Sequence, residues 1–215
     1  MSCIASLASA NLEPMKFISA LLVLTTFAVA QEIQQVSAEQ AGKIARMVTA
    51  AFGSSTDAPF AVDADTGKPA GIKAGDSGLL AIPDKKLTPE IVAAAGSEIT
   101  ALGQLWMRNV VPSVNNAAPD AAKLRSVKVS DGDKEVPVEV YYLGITKTDA
   151  GAIELGLYTK DKTPLVKAPL VKTDAAVNTT PIALDGHKEG ESGGVLVITV
   201  FGSYKADVTV TKPRE

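Results

Sequence analysis

Apolar and polar positions recur with two different periods along this chain, and the change of period organises it. Over 36–53 the residues Ala41, Ile44, Ala45, Val48 and Phe52 return at helical spacing. Ser37 followed by Gln40 makes a capping box ahead of this stripe, and Gly53 supplies a permissive stop behind it. The stripe is rich in alanine, so the helix presents a thin apolar face and needs a surface to pack on. Between 54 and 78 the glycines at 67, 71, 75 and 78, with Pro59 and Pro69, punctuate the chain too often for a regular element and predict a long loop. A loop of that length is mobile or functional. The apolar run 79–82, closed by Pro83, predicts a short buried strand. Thr88-Pro89-Glu90 then opens a short second helix, with an N-cap, a proline at the first helical position and an acid in the positive first turn; it ends at Gly96.

After Gly96 the period falls to two. Ile99, Ala101, Gly103, Leu105 and Met107 alternate with Thr100, Leu102, Gln104 and Trp106, which predicts a strand, and the proline-bounded run 112–119 breaks the chain. From residue 123 the pattern is uniform: runs rich in Val, Ile, Leu and Tyr cover 124–129, 136–145, 153–159, 165–171, 182–184, 195–201 and 206–210, with turn residues between them. The run 195–201 is apolar except for Thr199, as in a central strand covered on both faces. Pro137, Pro164, Pro169 and Pro181 fall at strand starts or edges, where a missing N–H costs least. Two successive hairpins, turning at 148–151 and 160–163, make an antiparallel meander. The expected fold is α+β, mainly β: an antiparallel β-sandwich, immunoglobulin-like or related, over 119–215, preceded by a helical and loop segment over 31–118.

Residues 1–30 carry a different signal. Met15-Lys16-Phe17, an apolar run over 18–28 and the small-x-small triplet Ala28-Val29-Ala30 match a secretory signal peptide cleaved after Ala30, with translation expected to begin at Met15. The run contains Ser19, Thr25 and Thr26 and is shorter than the roughly 20 apolar residues of a spanning helix, so no stable membrane span is expected after cleavage. The only cysteine, Cys3, precedes the leader, so the exported part has no disulfide and must hold together by burial. That composition suits a bacterial periplasmic or extracellular protein. The net charge of −3 is spread along the chain and unchanged by loss of Glu13 and Lys16; it argues against a nucleic-acid partner, which calls for a clustered basic face.

Candidate chemistry is sparse. Gly75-Asp76-Ser77-Gly78 places a serine in a glycine-flanked turn, as serine hydrolases do, and His187 with Asp185 nearby is the one histidine that could serve as its base. The match is four residues long, and the spacing and order of the acid and histidine fit neither the lipase nor the trypsin-like arrangement. A closed zinc site cannot be built from one His without Cys. Asp63-Ala64-Asp65 and Asp131-Gly132-Asp133 alternate oxygen ligands as calcium loops do, without the glycine and late glutamate of the twelve-residue loop; such pairs more often make turns. Trp106, Tyr141, Tyr142, Tyr158, Phe201 and Tyr204 are the candidates for an aromatic sugar shelf, with Tyr141 and Tyr142 necessarily on opposite faces of their strand. No phosphate-binding loop links a strand to a helix.

These signals predict an exported, non-catalytic binding or structural module of the cell envelope or extracellular space, without cofactor or metal. Its expected partner is an envelope or extracellular protein or a glycan. The two alternatives are a serine hydrolase using Ser77 and His187, and a small-ligand carrier with a cavity between helix and sheet.

Overall fold

The computed structural model describes residues 32–53, 57–131, 134–190 and 193–214; the expected leader lies outside the described residues. In chain order the elements are β1 (Gln34–Gln35), α1 (Ala38–Phe52), β2 (Ala70–Ala74), β3 (Ser77–Pro83), α2 (Pro89–Ala93), β4 (Thr100–Arg108), β5 (Val111–Pro112), β6 (Ser126–Asp131), β7 (Lys134–Lys147), β8 (Ile153–Tyr158), β9 (Val166–Pro169), β10 (Val171–Lys172), β11 (Ile182–Glu189), β12 (Gly193–Val200) and β13 (Tyr204–Thr211). They form two antiparallel sheets. The first runs β1-β2-β3-β4-β7-β8-β9, with β6 also paired to β7; the second runs β10-β13-β12-β11, with β5 also paired to β13.

The long strand β7 is the spine of the first sheet. Glu139 to Ile145 pair with β4 on one side, while on the other the first half of β7 pairs with β6 and the second half with β8. The inner faces of the two sheets meet in one core that includes Leu105, Tyr141, Leu143 and Leu157 from the first and Ile182, Leu196, Ile198 and Val208 from the second. This is the mainly-β, sandwich-like fold expected from the period-two runs. The outer face of the first sheet is covered by α1, whose Ala41, Ala45 and Val48 pack on Leu80, Ile82, Trp106, Val129, Val138 and Val140. Ser37 Oγ accepts a hydrogen bond from Gln40 N (3.3 Å), and Gly53, at φ 61°, ends the helix.

Several expectations need correction. The stretch 54–78 is not all loop: β2 and the start of β3 form a hairpin through Gly75-Asp76, with Ala74 opposite Ser77. One of its glycines, Gly71, sits where the face must stay low: an added Cβ would lie 3.2 Å from Val36 Cβ and 3.3 Å from Leu80 Cδ1. β12 is central but covered on one face only. Leu196, Ile198 and Val200 are buried, whereas Val195, Val197 and Thr199 are half-buried on the open face of the second sheet. β11 runs to Glu189, well past the apolar run 182–184, because its outer half is polar. The proline-bounded run 112–119 does not separate the strands on either side of it: β4 pairs with β7 and β5 with β13.

Three glycines set the geometry of the first sheet. The β4–β7 register shifts between Ala101 and Gly103, and Gly103 adopts φ 152°; a Cβ there would run into the carbonyl oxygen of Ile82 on β3. Only glycine lets the two backbones approach so closely. Gly144 and Gly156 face each other across β7 and β8, making a hollow where Phe60 and Tyr158 pack edge to face at 5.2 Å between centroids.

Candidate functional site

Ser77 and His187 are brought to one place by the fold. Both line a cavity of about 180 Å³ between the β2–β3 hairpin and the ends of β11, β12 and β13. Their hydrogen bonds do not connect them. The Ser77 hydroxyl donates to the Asn109 carbonyl at 3.4 Å, and the side-chain amide of Asn109, itself at φ 57°, donates to the Asp76 carbonyl at 2.9 Å. His187 Nε2 faces Glu189 Oε1 at 3.6 Å on an exposed surface, while Asp185 Oδ1 accepts from the Gly186 N–H at 2.7 Å. The serine proton is thus directed to a main-chain oxygen, and the carboxylate beside the histidine is Glu189, not Asp185.

The other sequence candidates have structural partners. Asp63 forms an ion pair with Lys85 (2.9 Å), which raises the lysine pKa through the hydrogen bond and the opposite charge. Asp65 accepts from the Gly67 N–H (3.0 Å), closing its own turn. The buried Asp84 beside them, missed in the sequence, accepts from the backbone N–H groups of Asp63 and Lys86, each at 2.8 Å. Asp131 and Lys134 are opposed at the end of the β6–β7 ladder; Gly132 and Asp133 lie outside the described residues. Among the described residues no group of three or more His, Cys, Asp or Glu is placed to hold a metal ion.

The aromatic candidates for a sugar shelf belong to the interior, as their place within apolar runs suggests. Trp106, Tyr141, Tyr142, Tyr158, Phe201 and Tyr204 are all at most 9% exposed, so none offers a free ring face. Tyr141 points into the sandwich core, whereas Tyr142 packs on the opposite face against Phe52 and Phe60. Trp106 meets Phe52 edge to face at 5.5 Å, and the Arg125 guanidinium lies 4.8 Å over the Phe52 ring. Next to Tyr141 on β7, Glu139 is partly buried: burial raises its pKa, opposed by a hydrogen bond from Ser126. Burial, and secondarily the charge of Glu139, raise the pKa of Tyr141.

A further concavity lies between helix and sheet, where the small-ligand-carrier alternative expects one. A groove of about 510 Å³ opens beside α1 on the outer face of the first sheet, where the helix leaves the ends of β3, β4, β6 and β7 uncovered. Its floor is apolar: Leu80, Trp106, Val129 and Val138, each no more than 8% exposed, line it with Val136. One wall is α1 itself, from Gln40 through Lys43 and Ile44 to Met47. The helical stripe is therefore split. Ala41, Ala45 and Val48 face the sheet, whereas Ile44 and Met47, 37% and 42% exposed, overhang the groove. Placing Ile44 among the sheet-facing positions was the sequence error here.

Across the groove floor, pairing puts Lys73 opposite Gly78 and Gly78 opposite Arg108, so two cations flank a glycine in one row over β2, β3 and β4. All three residues line the groove. The next row toward the helix holds Gly71, Leu80 and Trp106. Trp106, the only tryptophan of the chain, is held from below by its indole N–H, which donates to Gln104 Oε1 at 3.2 Å. Among the described residues no helix is long and apolar enough to cross a membrane. Searches against family models, curated proteins and solved structures return no match to this chain.

Proposed function

We propose that this chain is an exported, non-catalytic binding module of the cell envelope or extracellular space, and that it holds an apolar ligand in the groove between α1 and the first sheet. The observation that carries this reading is the groove. At about 510 Å³ it falls in the size range of small-molecule sites, roughly 300–1,000 Å³. Its apolar floor is overhung by Ile44 and Met47, which α1 leaves partly in water. These residues on the 15-residue helix contribute only part of their burial to folding and gain more once a ligand covers them. Export is supported by the leader pattern ending at Ala30. A glycan partner is less well supported than an apolar one, because the six aromatic candidates are buried.

The experiment is a titration of Trp106 emission with decanol, a neutral apolar chain. Saturable change, abolished or strongly weakened in Met47→Asp while the far-UV spectrum is kept, is the expected result. Emission and melting temperature both unmoved by decanol would overturn the groove reading. Export is tested separately by the N-terminus of the secreted product, expected at Gln31.

The hydrolase alternative has one observation in its favour, the shared cavity of Ser77 and His187. Against it stand the separate hydrogen bonds of the two side chains.

A further inference from the structure

The groove has a polarity that an apolar ligand alone would not need. Of the charged residues lining it, three are cationic, Lys43, Lys73 and Arg108, and one is acidic, Asp76. Lys73 and Arg108 stand in the row Lys73–Gly78–Arg108, with their backbones about 9–10 Å apart across two strand spacings. Between them the floor is bare: a Cβ built on Gly78 would meet nothing within 4 Å. Any larger residue would fill that gap.

We propose that the groove is specific for a single-chain amphiphile with a carboxylate head, the carboxylate seated over Gly78 between Lys73 and Arg108 and the chain lying against Ile44 and Met47, beside the row of Leu80 and Trp106. The proposal rests on the apolar-ligand reading above and adds the head group to it. Each part of the ligand meets its complement. The Arg108 guanidinium can donate a charge-assisted hydrogen bond to a carboxylate, and the lysine ammonium supplies a second positive pole on the far side of the gap. Two residues along the strands, roughly 7 Å away, the floor turns wholly apolar, so head and tail are sorted by one step in the sheet. Asp76, in the β2–β3 turn at the same end, disfavours a second negative charge, which favours a monoanionic carboxylate over a dianionic phosphate head.

The test compares decanoate, decanol and decyltrimethylammonium on the exported protein at one ionic strength, read by Trp106 emission and checked by equilibrium dialysis. Decanoate is expected to bind about tenfold more tightly than decanol, the effect of one charge-assisted contact, and the ammonium amphiphile more weakly than either. Lys73→Met, with Arg108 still in place, should reduce the preference for decanoate several-fold and leave decanol binding unchanged. Gly78→Leu, which has room to fold, should abolish decanoate binding with an unaltered melting curve. If decanol binds as tightly as decanoate, or Lys73→Met leaves the preference intact, the carboxylate proposal falls and the apolar-ligand reading stands. If none of the three probes binds, both fall.

Discussion

The buried pair formed by Gln104 and Trp106 gives a sharp test of how the groove floor is held. The two side chains are 5% and 1% exposed and share one hydrogen bond of 3.2 Å. Trp106→Phe removes the donor and leaves Gln104 Oε1 buried without it, at a cost of about 1.5 kcal/mol. The smaller ring adds about 1 kcal/mol, taking roughly 40 Å² of lost apolar contact at ~25 cal/mol per Å². Gln104→Leu leaves the indole N–H without its acceptor, again about 1.5 kcal/mol. If the two costs simply added, the double variant would lose about 4 kcal/mol. Removing both polar groups together leaves no orphan, so the expected loss is about 2 kcal/mol, a coupling of about 2 kcal/mol. Urea unfolding of all four proteins, followed by far-UV circular dichroism because the tryptophan itself is changed, measures the cycle. Additivity within about 0.5 kcal/mol would refute the claim that a shared buried hydrogen bond positions Trp106.

Gly103→Ala is expected to destabilise the protein by about 2–4 kcal/mol, since its Cβ meets the Ile82 carbonyl at a φ of 152°; a urea midpoint within experimental error of the parent would contradict the close approach of β3 and β4. Glu139 has its pKa raised in the folded state above the ordinary value of 4.5, so the folded protein binds more protons than the unfolded chain in that window. Stability should therefore fall as pH rises from about 4.5 through the raised folded value, and stay reduced above it. Glu139→Gln should flatten that slope and be the more stable protein at neutral pH; a variant that keeps the slope would assign it to another group. Ser77→Ala is expected to leave the wild-type response to ester, peptide and glycoside substrates unchanged; any wild-type turnover lost in the variant would reinstate the hydrolase.

Local rules made α1 readable, because its start, its stripe and its stop each have a residue-level cause in Ser37, Ala41-Ala45-Val48 and Gly53. The strands from residue 124 onward were readable for the same reason, each run ending at recognisable turn residues. The β2–β3 hairpin was not. Its glycines read as loop punctuation, yet Gly71 and Gly78 lie within strands, one where Val36 and Leu80 crowd the face and the other where the groove floor is bare. The second face of β12 was misjudged because an apolar residue on an open sheet face has the same composition as one in a core. A cavity between helix and sheet is among the sequence's alternatives, but the make-up of the groove is not legible there. Its floor joins positions 80, 106, 129 and 138, and its cation row needs the register of three strands, neither of which a linear pattern encodes. Ser77 and His187 show the converse: short-range resemblance did point to residues that share a cavity, but not to how their protons are directed.

The most direct measurement uses Trp106 as a ruler. A fatty acid carrying a nitroxide on its chain, titrated into the exported protein, should quench the single tryptophan saturably, and excess unlabelled decanoate should restore the emission. Binding of the labelled acid by dialysis with Trp106 emission unquenched would place the ligand elsewhere on the molecule, and no binding at all would remove the groove's role.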